Sequence, residues 1–101
     1  QASVAIEDDL GIPSSFSLEP AYPNPFNPQT TIRFELNVSA DVRVTVSDAL
    51  GREVAELINA SALASGMHTL QFNGAGLPSG TYVVRMEALG QLLTQQIVLL
   101  K

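Results

Sequence analysis

Thr30-Thr31-Ile32-Arg33-Phe34-Glu35-Leu36 alternates residue by residue, with Ile32, Phe34 and Leu36 on one side and Thr31, Arg33 and Glu35 on the other. A period of two with charges confined to one side is the pattern of a half-buried β-strand. The stretch just ahead of it, Ala21-Tyr22-Pro23-Asn24-Pro25-Phe26-Asn27-Pro28, suits neither a helix interior nor a central strand. Its prolines fix φ, remove backbone donors and push their predecessors toward extended conformations. This reads as a stiff, largely extended lead-in to a β domain, with the rings of Tyr22 and Phe26 packed down onto it.

The alternation continues downstream. Phe16 to Glu19 is a short first strand or edge. Val42, Val44 and Val46 repeat the pattern against Arg43 and Thr45, and Asp48-Ala49-Leu50-Gly51 is a turn in which Gly51 suits positive φ. Arg52 to Ile58 resumes as strand, and Asn59 to Ser65, rich in Ala and Ser, reads as a loop or one helical turn. Met67 to Phe72 sends Leu70 and Phe72 inward. Thr81 to Ala88 sets Tyr82, Val84 and Met86 against Val83, Arg85 and Glu87. Gly90 makes a tight hairpin to Leu92–Leu100, whose final Ile97-Val98-Leu99-Leu100 is apolar on both sides. A strand of that kind is either covered on both faces or, at an edge, open to pairing with another chain. Short strands spaced by turn signals in this way make an all-β sandwich.

Size and charge set limits. The chain has 101 residues, enough for one modest core, and a net charge of −5. Four Arg and one Lys, scattered, build no basic face for nucleic acid, and no apolar run is long enough to span a bilayer as a helix. Without cysteine there is no disulfide or thiolate metal site. Residues 1–15, with the acidic run Glu7-Asp8-Asp9, read as a solvated linker, and a start at Gln1 rather than Met suggests a piece of a longer protein.

Catalytic groups are sparse. His68 is the sole histidine, lies beside core positions, and has no nucleophile-elbow motif near it. Glu35, Asp41, Glu53, Glu56 and Glu87 fall on outward or turn positions and read as solubilising charge. A sugar-binding surface would need exposed rings. With no Trp, and with Phe34, Phe72 and Tyr82 needed inside, Phe16, Tyr22 and Phe26 are the remaining platforms. No cofactor or metal is implied.

Four motifs in order carry a resemblance. Phe16-Ser17-Leu18-Glu19 leading to Tyr22-Pro23-Asn24-Pro25-Phe26-Asn27-Pro28 and Thr30-Thr31-Ile32-Arg33-Phe34 resembles the start of the C-terminal sorting domain of type IX secretion. Val46-Ser47-Asp48-Ala49-Leu50-Gly51-Arg52-Glu53-Val54 looks like that family's next signature. Leu77-Pro78-Ser79-Gly80-Thr81-Tyr82-Val83-Val84-Arg85 is similar to its glycine–tyrosine motif, and Ile97-Val98-Leu99-Leu100-Lys101 to its C-terminal end. The resemblance spans residues 16–101. It implies an immunoglobulin-like antiparallel β-sandwich of about seven strands, related to a domain of a flagellar hook-capping protein. It further implies a non-catalytic signal at the end of a secreted protein of Bacteroidetes-type bacteria, often behind a catalytic domain such as a hydrolase. Such a signal is read by the type IX outer-membrane translocon after transit through the periplasm. A sortase-like peptidase then cuts ahead of the domain, here within residues 1–15, and leaves the cargo on the cell surface or released. One departure stands out: where family members often carry a basic residue shortly before the terminal lysine, this chain has Gln95-Gln96.

The expected readable part is the C-terminal hairpin. Leu92, Leu93, Ile97, Val98, Leu99 and Leu100 offer apolar contacts and Lys101 a cation. Gly80 and Tyr82 hold the hairpin to the core, and the proline segment clamps the opposite end. The last strand also offers a route to an oligomer. The competing expectations are a carbohydrate-binding or adhesive sandwich module and a plain spacer between domains.

Overall fold

The alternating stretches become seven antiparallel strands in a computed structural model that describes residues 16–101. They are β1 (Phe16–Leu18), β2 (Gln29–Leu36), β3 (Ala40–Asp48), β4 (Glu53–Leu63), β5 (Gly66–Asn73), β6 (Gly80–Ala88) and β7 (Gln91–Leu99). One sheet has the order β1-β2-β5, the other β4-β3-β6-β7. The chain changes sheets after β2, β4 and β5 and forms hairpins at β3–β4 and β6–β7. This is an immunoglobulin-like sandwich. It differs from the constant-type pattern in that the fourth strand joins β3 rather than β5. The linker expected at residues 1–15, with its acidic run, lies outside the described residues.

Alternation dictates the core. Ile32, Phe34 and Leu36 of β2 face Val42, Val44 and Val46 of β3 and Val84 and Met86 of β6, all of them buried. Each such side chain withdrawn from water contributes about 1.5–3 kcal/mol before chain entropy is set against it. The sandwich has two distinct ends. At one lie Phe16, the β2–β3 and β4–β5 connections and the β6–β7 turn. At the other lie the proline-rich segment, the β3–β4 turn, the β5–β6 loop and Leu99–Lys101.

Several expectations change. Asn59 to Leu63 is neither loop nor helical turn but the continuation of β4. It is hard to see in sequence because two residues, Asn59 and Ala60, bulge opposite Arg43, and Ala60 takes φ 45°. Phe16 is no surface platform, since β1 lays it into the core at 2% exposure. β7 is not covered on both faces: Ile97 and Leu99 point into the core, while Val98 is half-buried and Leu100 exposed on the outer face.

Two turns show how the sequence closes its hairpins. At β6–β7, Leu89 (φ 54°) and Gly90 (φ 73°) both have positive φ, as a two-residue type I′ hairpin requires. Leucine is a poor choice there, because its Cβ crowds the following carbonyl. At the β5–β6 corner, the buried Tyr82 donates its hydroxyl to the Pro78 carbonyl at 2.6 Å. That is the tyrosine corner of immunoglobulin-like folds, and it explains why a tyrosine follows Gly80 by two residues.

Replacing Leu89 with Asn is expected to raise stability by about 1 kcal/mol, read as a higher melting temperature. Tyr82→Phe, which strands the Pro78 carbonyl, is expected to lower stability by about 1–2 kcal/mol in chemical denaturation without altering the far-UV spectrum.

Candidate functional site

Pro23 and Pro25 have no N–H to offer a neighbouring strand, and Asn24 between them supplies the missing groups. Its Oδ1 accepts from Val98 N at 2.9 Å and its Nδ2 donates to Gln96 O at 3.1 Å. Two residues on, Phe26 takes over with its backbone, donating to Val98 O at 2.8 Å and accepting from Leu100 N at 3.0 Å. The carboxamide of one residue and the peptide groups of another thus pair the segment to the outer edge of β7. The segment is bent rather than extended, with all three X–Pro bonds cis. It lies at the end of the sandwich opposite the β6–β7 turn, and it holds that end by pairing rather than only by stiffness. It runs parallel to β7 and occupies its edge. The pairing of another chain along this part of β7 is thereby blocked.

Gln95 adds a strap. It sits in the inward column of β7 with Leu93, Ile97 and Leu99, where an amide has no apolar contact to make. Its Nε2 donates to Glu19 O at 2.6 Å and its Oε1 accepts from Ala21 N at 2.8 Å. The glutamine that stands where a cation was expected therefore ties the lead-in segment to β7. A polar residue inside an apolar column was the sequence signal for it. Thr30, buried at 1% exposure, completes the attachment by donating to Pro23 O at 2.7 Å.

The two rings of the proline segment separate. Phe26 is buried and meets Phe72 edge-on at 5.9 Å between centroids. Tyr22 does not pack down: it is 80% exposed, held by backbone pairing with Thr31. Gly74 explains the tight fit around Phe26. A Cβ there would lie 3.0 Å from Leu99 Cδ2 and 3.4 Å from Phe26 Cε2, so glycine is favoured by the close approach of Leu99 rather than by its dihedral freedom.

The remaining candidates fall as follows. Tyr22 through Pro28, Gly51, Gly80, Tyr82 and the residues from Ile97 to Lys101 gather at one end of the sandwich, whereas Leu92 and Leu93 lie toward the other. Leu92 and Leu100 are exposed, Leu93 and Val98 half-buried, and Ile97 and Leu99 wholly in the core. Lys101 Nζ donates to Ala75 O at 2.7 Å, and its amide to Ser79 Oγ at 3.0 Å, which anchors it to the β5–β6 loop. Gly51, at φ 86°, closes the turn around Asp48. The Arg52 amide first, and then the Arg52 guanidinium and the Leu50 amide, hold the Asp48 carboxyl below its ordinary value.

His68 packs against Phe34 in a stacked arrangement, 5.2 Å between ring centroids, and its Nε2 lies 2.8 Å from Ala64 O. That carbonyl fixes Nε2 as a donor, and the ring is part of the core wall. Glu53 and Glu56 both pair with Arg43 on the outer face. Among the described residues no three His, Cys, Asp or Glu side chains gather as metal ligands, and no helix is long and apolar enough to cross a membrane. All six aromatic rings of Phe and Tyr are described, and Tyr22 alone is exposed, so no pair of rings forms a sugar platform.

A family model described as a secretion system C-terminal sorting domain matches residues 20–100. The chain belongs to that family. The matched span begins at the strap to Gln95 and ends at Leu100, so it covers both partners of the pairing between the proline segment and β7. No curated protein matches the chain. As a type IX secretion signal, the sorting domain marks a secreted or cell-surface protein and interacts with the type IX machinery, and a signal domain of this kind is normally non-catalytic.

Gly74→Ala in the sorting domain sets the new methyl 3.0 Å from Cδ2 of the buried Leu99, which must give by a few tenths of an ångström. A loss of about 1–3 kcal/mol in stability is expected. The depressed Asp48 carboxyl has a definite sign in pH dependence. Its contribution to stability is present above the unfolded value and is lost as pH falls through the lower folded value. The melting temperature of Asp48→Asn should therefore approach that of the parent at acid pH and fall below it near neutrality.

Proposed function

We propose that the sorting domain is read in its folded state, through the β6–β7 hairpin, by the type IX outer-membrane translocon. It trails an upstream catalytic domain, a hydrolase, in the same polypeptide. After transit through the periplasm, a sortase-like peptidase acts within residues 1–15. The observation that carries the reading is the division of labour along β7. Ile97 and Leu99 fasten the strand to the core, while Leu92, Val98 and Leu100 line its outer face with exposed or half-exposed apolar surface. Lys101 adds a cation at the end where the motif residues converge. Exposed apolar side chains set on a rigid strand beside a single charge suit recognition by a protein surface. The proline segment acts directly as a rigid closure of its end of the sandwich and only indirectly in recognition, since it holds β7 in place and keeps its edge from casual pairing.

The test separates folding from reading. In a cargo fusion expressed in a type IX-competent bacterium, deletion of residues 94–101 removes Ile97 and Leu99 and should abolish both folding and export. The triple variant Leu92→Glu, Val98→Glu, Leu100→Glu leaves the inward column untouched. It should melt within a few degrees of the parent yet export at less than about a tenth of its level. Full export of the folded triple variant would overturn the hairpin reading.

A further inference from the structure

Four strands lie at the edges of the two sheets, and three are defended. β1 is three residues long, β4 is broken by register shifts and carries Glu53 and Glu56, and β7 is covered from Gln96 to Leu100 by the proline-rich segment. Short length, bulges, charges and covering segments are the means by which sheets refuse foreign strands. β5 has none of them: its eight residues, Gly66–Asn73, include no charge and no proline, and its ladder with β2 has no register shift.

The register identifies the open groups. Gly74 N donates to Pro28 O, so the hydrogen-bonded pairs of the β2–β5 ladder fall at Phe72, Leu70 and His68. The amides and carbonyls of Met67, Thr69 and Gln71 therefore point away from β2. Among the described residues no strand pairs with them.

The second sheet supplies an independent observation. β1 lies against β7, so counting inward sets β2 across from β6 and β5 across from β3. No strand of the three-stranded sheet stands across from β4 among the described residues. The inward side chains Ala55 and Ile58 of β4 are accordingly only partly buried, whereas their partners Val46 and Val44 on β3 are fully buried, and Leu63 further along β4 is also partly buried. A strand added beside β5 would pair the open backbone and cover that apolar ledge together.

We propose that the free edge of β5 is a strand-addition site and that its occupant is one extended segment of the type IX machinery. The segment is about eight residues long, uncharged, and apolar at the alternate positions that face β4. A second copy of this chain does not fit, because β4 overhangs the vacant position and would meet the partner sandwich's own four-stranded sheet. The machinery is the partner that family membership supplies, and the proposal does not depend on the hairpin reading.

Amide hydrogen exchange on the unmodified 101-residue chain is the first test. Thr69 and Gln71 should exchange at least a hundredfold faster than Leu70 and Phe72. Equal protection of all four would show an edge already occupied and overturn the proposal, and repeating the measurement without residues 1–15 would say whether that segment is the occupant. Export of the cargo fusion is the second test. Thr69→Pro and Gln71→Pro remove outward donors only, so they should fold, as Leu70→Pro should not, and should lower export at least tenfold, whereas Thr69→Ala exports normally. Normal export of a folded proline variant overturns the proposal. If neither proline variant folds, the exchange measurement decides. Loss of export in Thr69→Pro alongside normal export of the outer-face triple variant would reject the hairpin reading and leave the β5 site standing. The reverse pattern would do the opposite.

Discussion

One carboxamide, that of Asn24, stands in for a peptide group that its two flanking prolines cannot provide, and the closure of the sandwich depends on it. Through Asn24 and then Phe26, a segment near the beginning of the described chain is laid along β7, more than seventy residues away in sequence. The Gln95 strap spans a similar separation. Such contacts pay for loop closure before they return anything, so they form only when the intervening strands are already in place. β7 is therefore held from both sides, by β6 and by the proline segment, only in a folded domain. On the proposed hairpin reading, β7 is presented in its held form only once folding is finished.

The period of two was enough to reveal β2, β3, β5 and β6, because each carries an apolar column at alternate positions that a one-residue slip would turn away from the core. It failed at Asn59–Leu63, where a bulge with Ala60 at positive φ interrupts the alternation and leaves no sequence mark. The separation of Tyr22 from Phe26 was equally hidden. Both are rings among prolines, and what distinguishes them is the space that Gly74 leaves beside Leu99 and Phe72, a tertiary fact. The prolines were legible as stiffness. That Asn24 replaces their missing donors was not, because its partners on β7 are named nowhere in the local sequence.

Much of what the motifs contain is architecture. Tyr82 makes the corner, Phe26 fills the core and Gly51 closes a turn. None of these presents a side chain to a partner, so their loss acts through folding. The exposed or half-exposed apolar side chains of the motifs and the last hairpin include Leu92, Val98 and Leu100 on the outer face of β7, the ring of Tyr22, Leu50 at the β3–β4 turn and Leu89 at the β6–β7 turn, with the Lys101 ammonium on the Ala75 carbonyl.

That surface and the open edge of β5 do not compete. β5 borders the three-stranded sheet on the side away from β1, and β7 borders the four-stranded sheet on the side where β1 lies against it. A partner that used both would have to pass around the sandwich, with a strand on one flank and a surface on the other. Each contact alone is modest, since an eight-residue edge or three apolar side chains fall short of a standard protein interface. On the two proposed readings, contacts joined through one rigid domain would raise each other's effective concentration and bind tightly together while each stays easy to release. An address that must be recognised and then let go is served by that arrangement better than by one large, slow-dissociating patch.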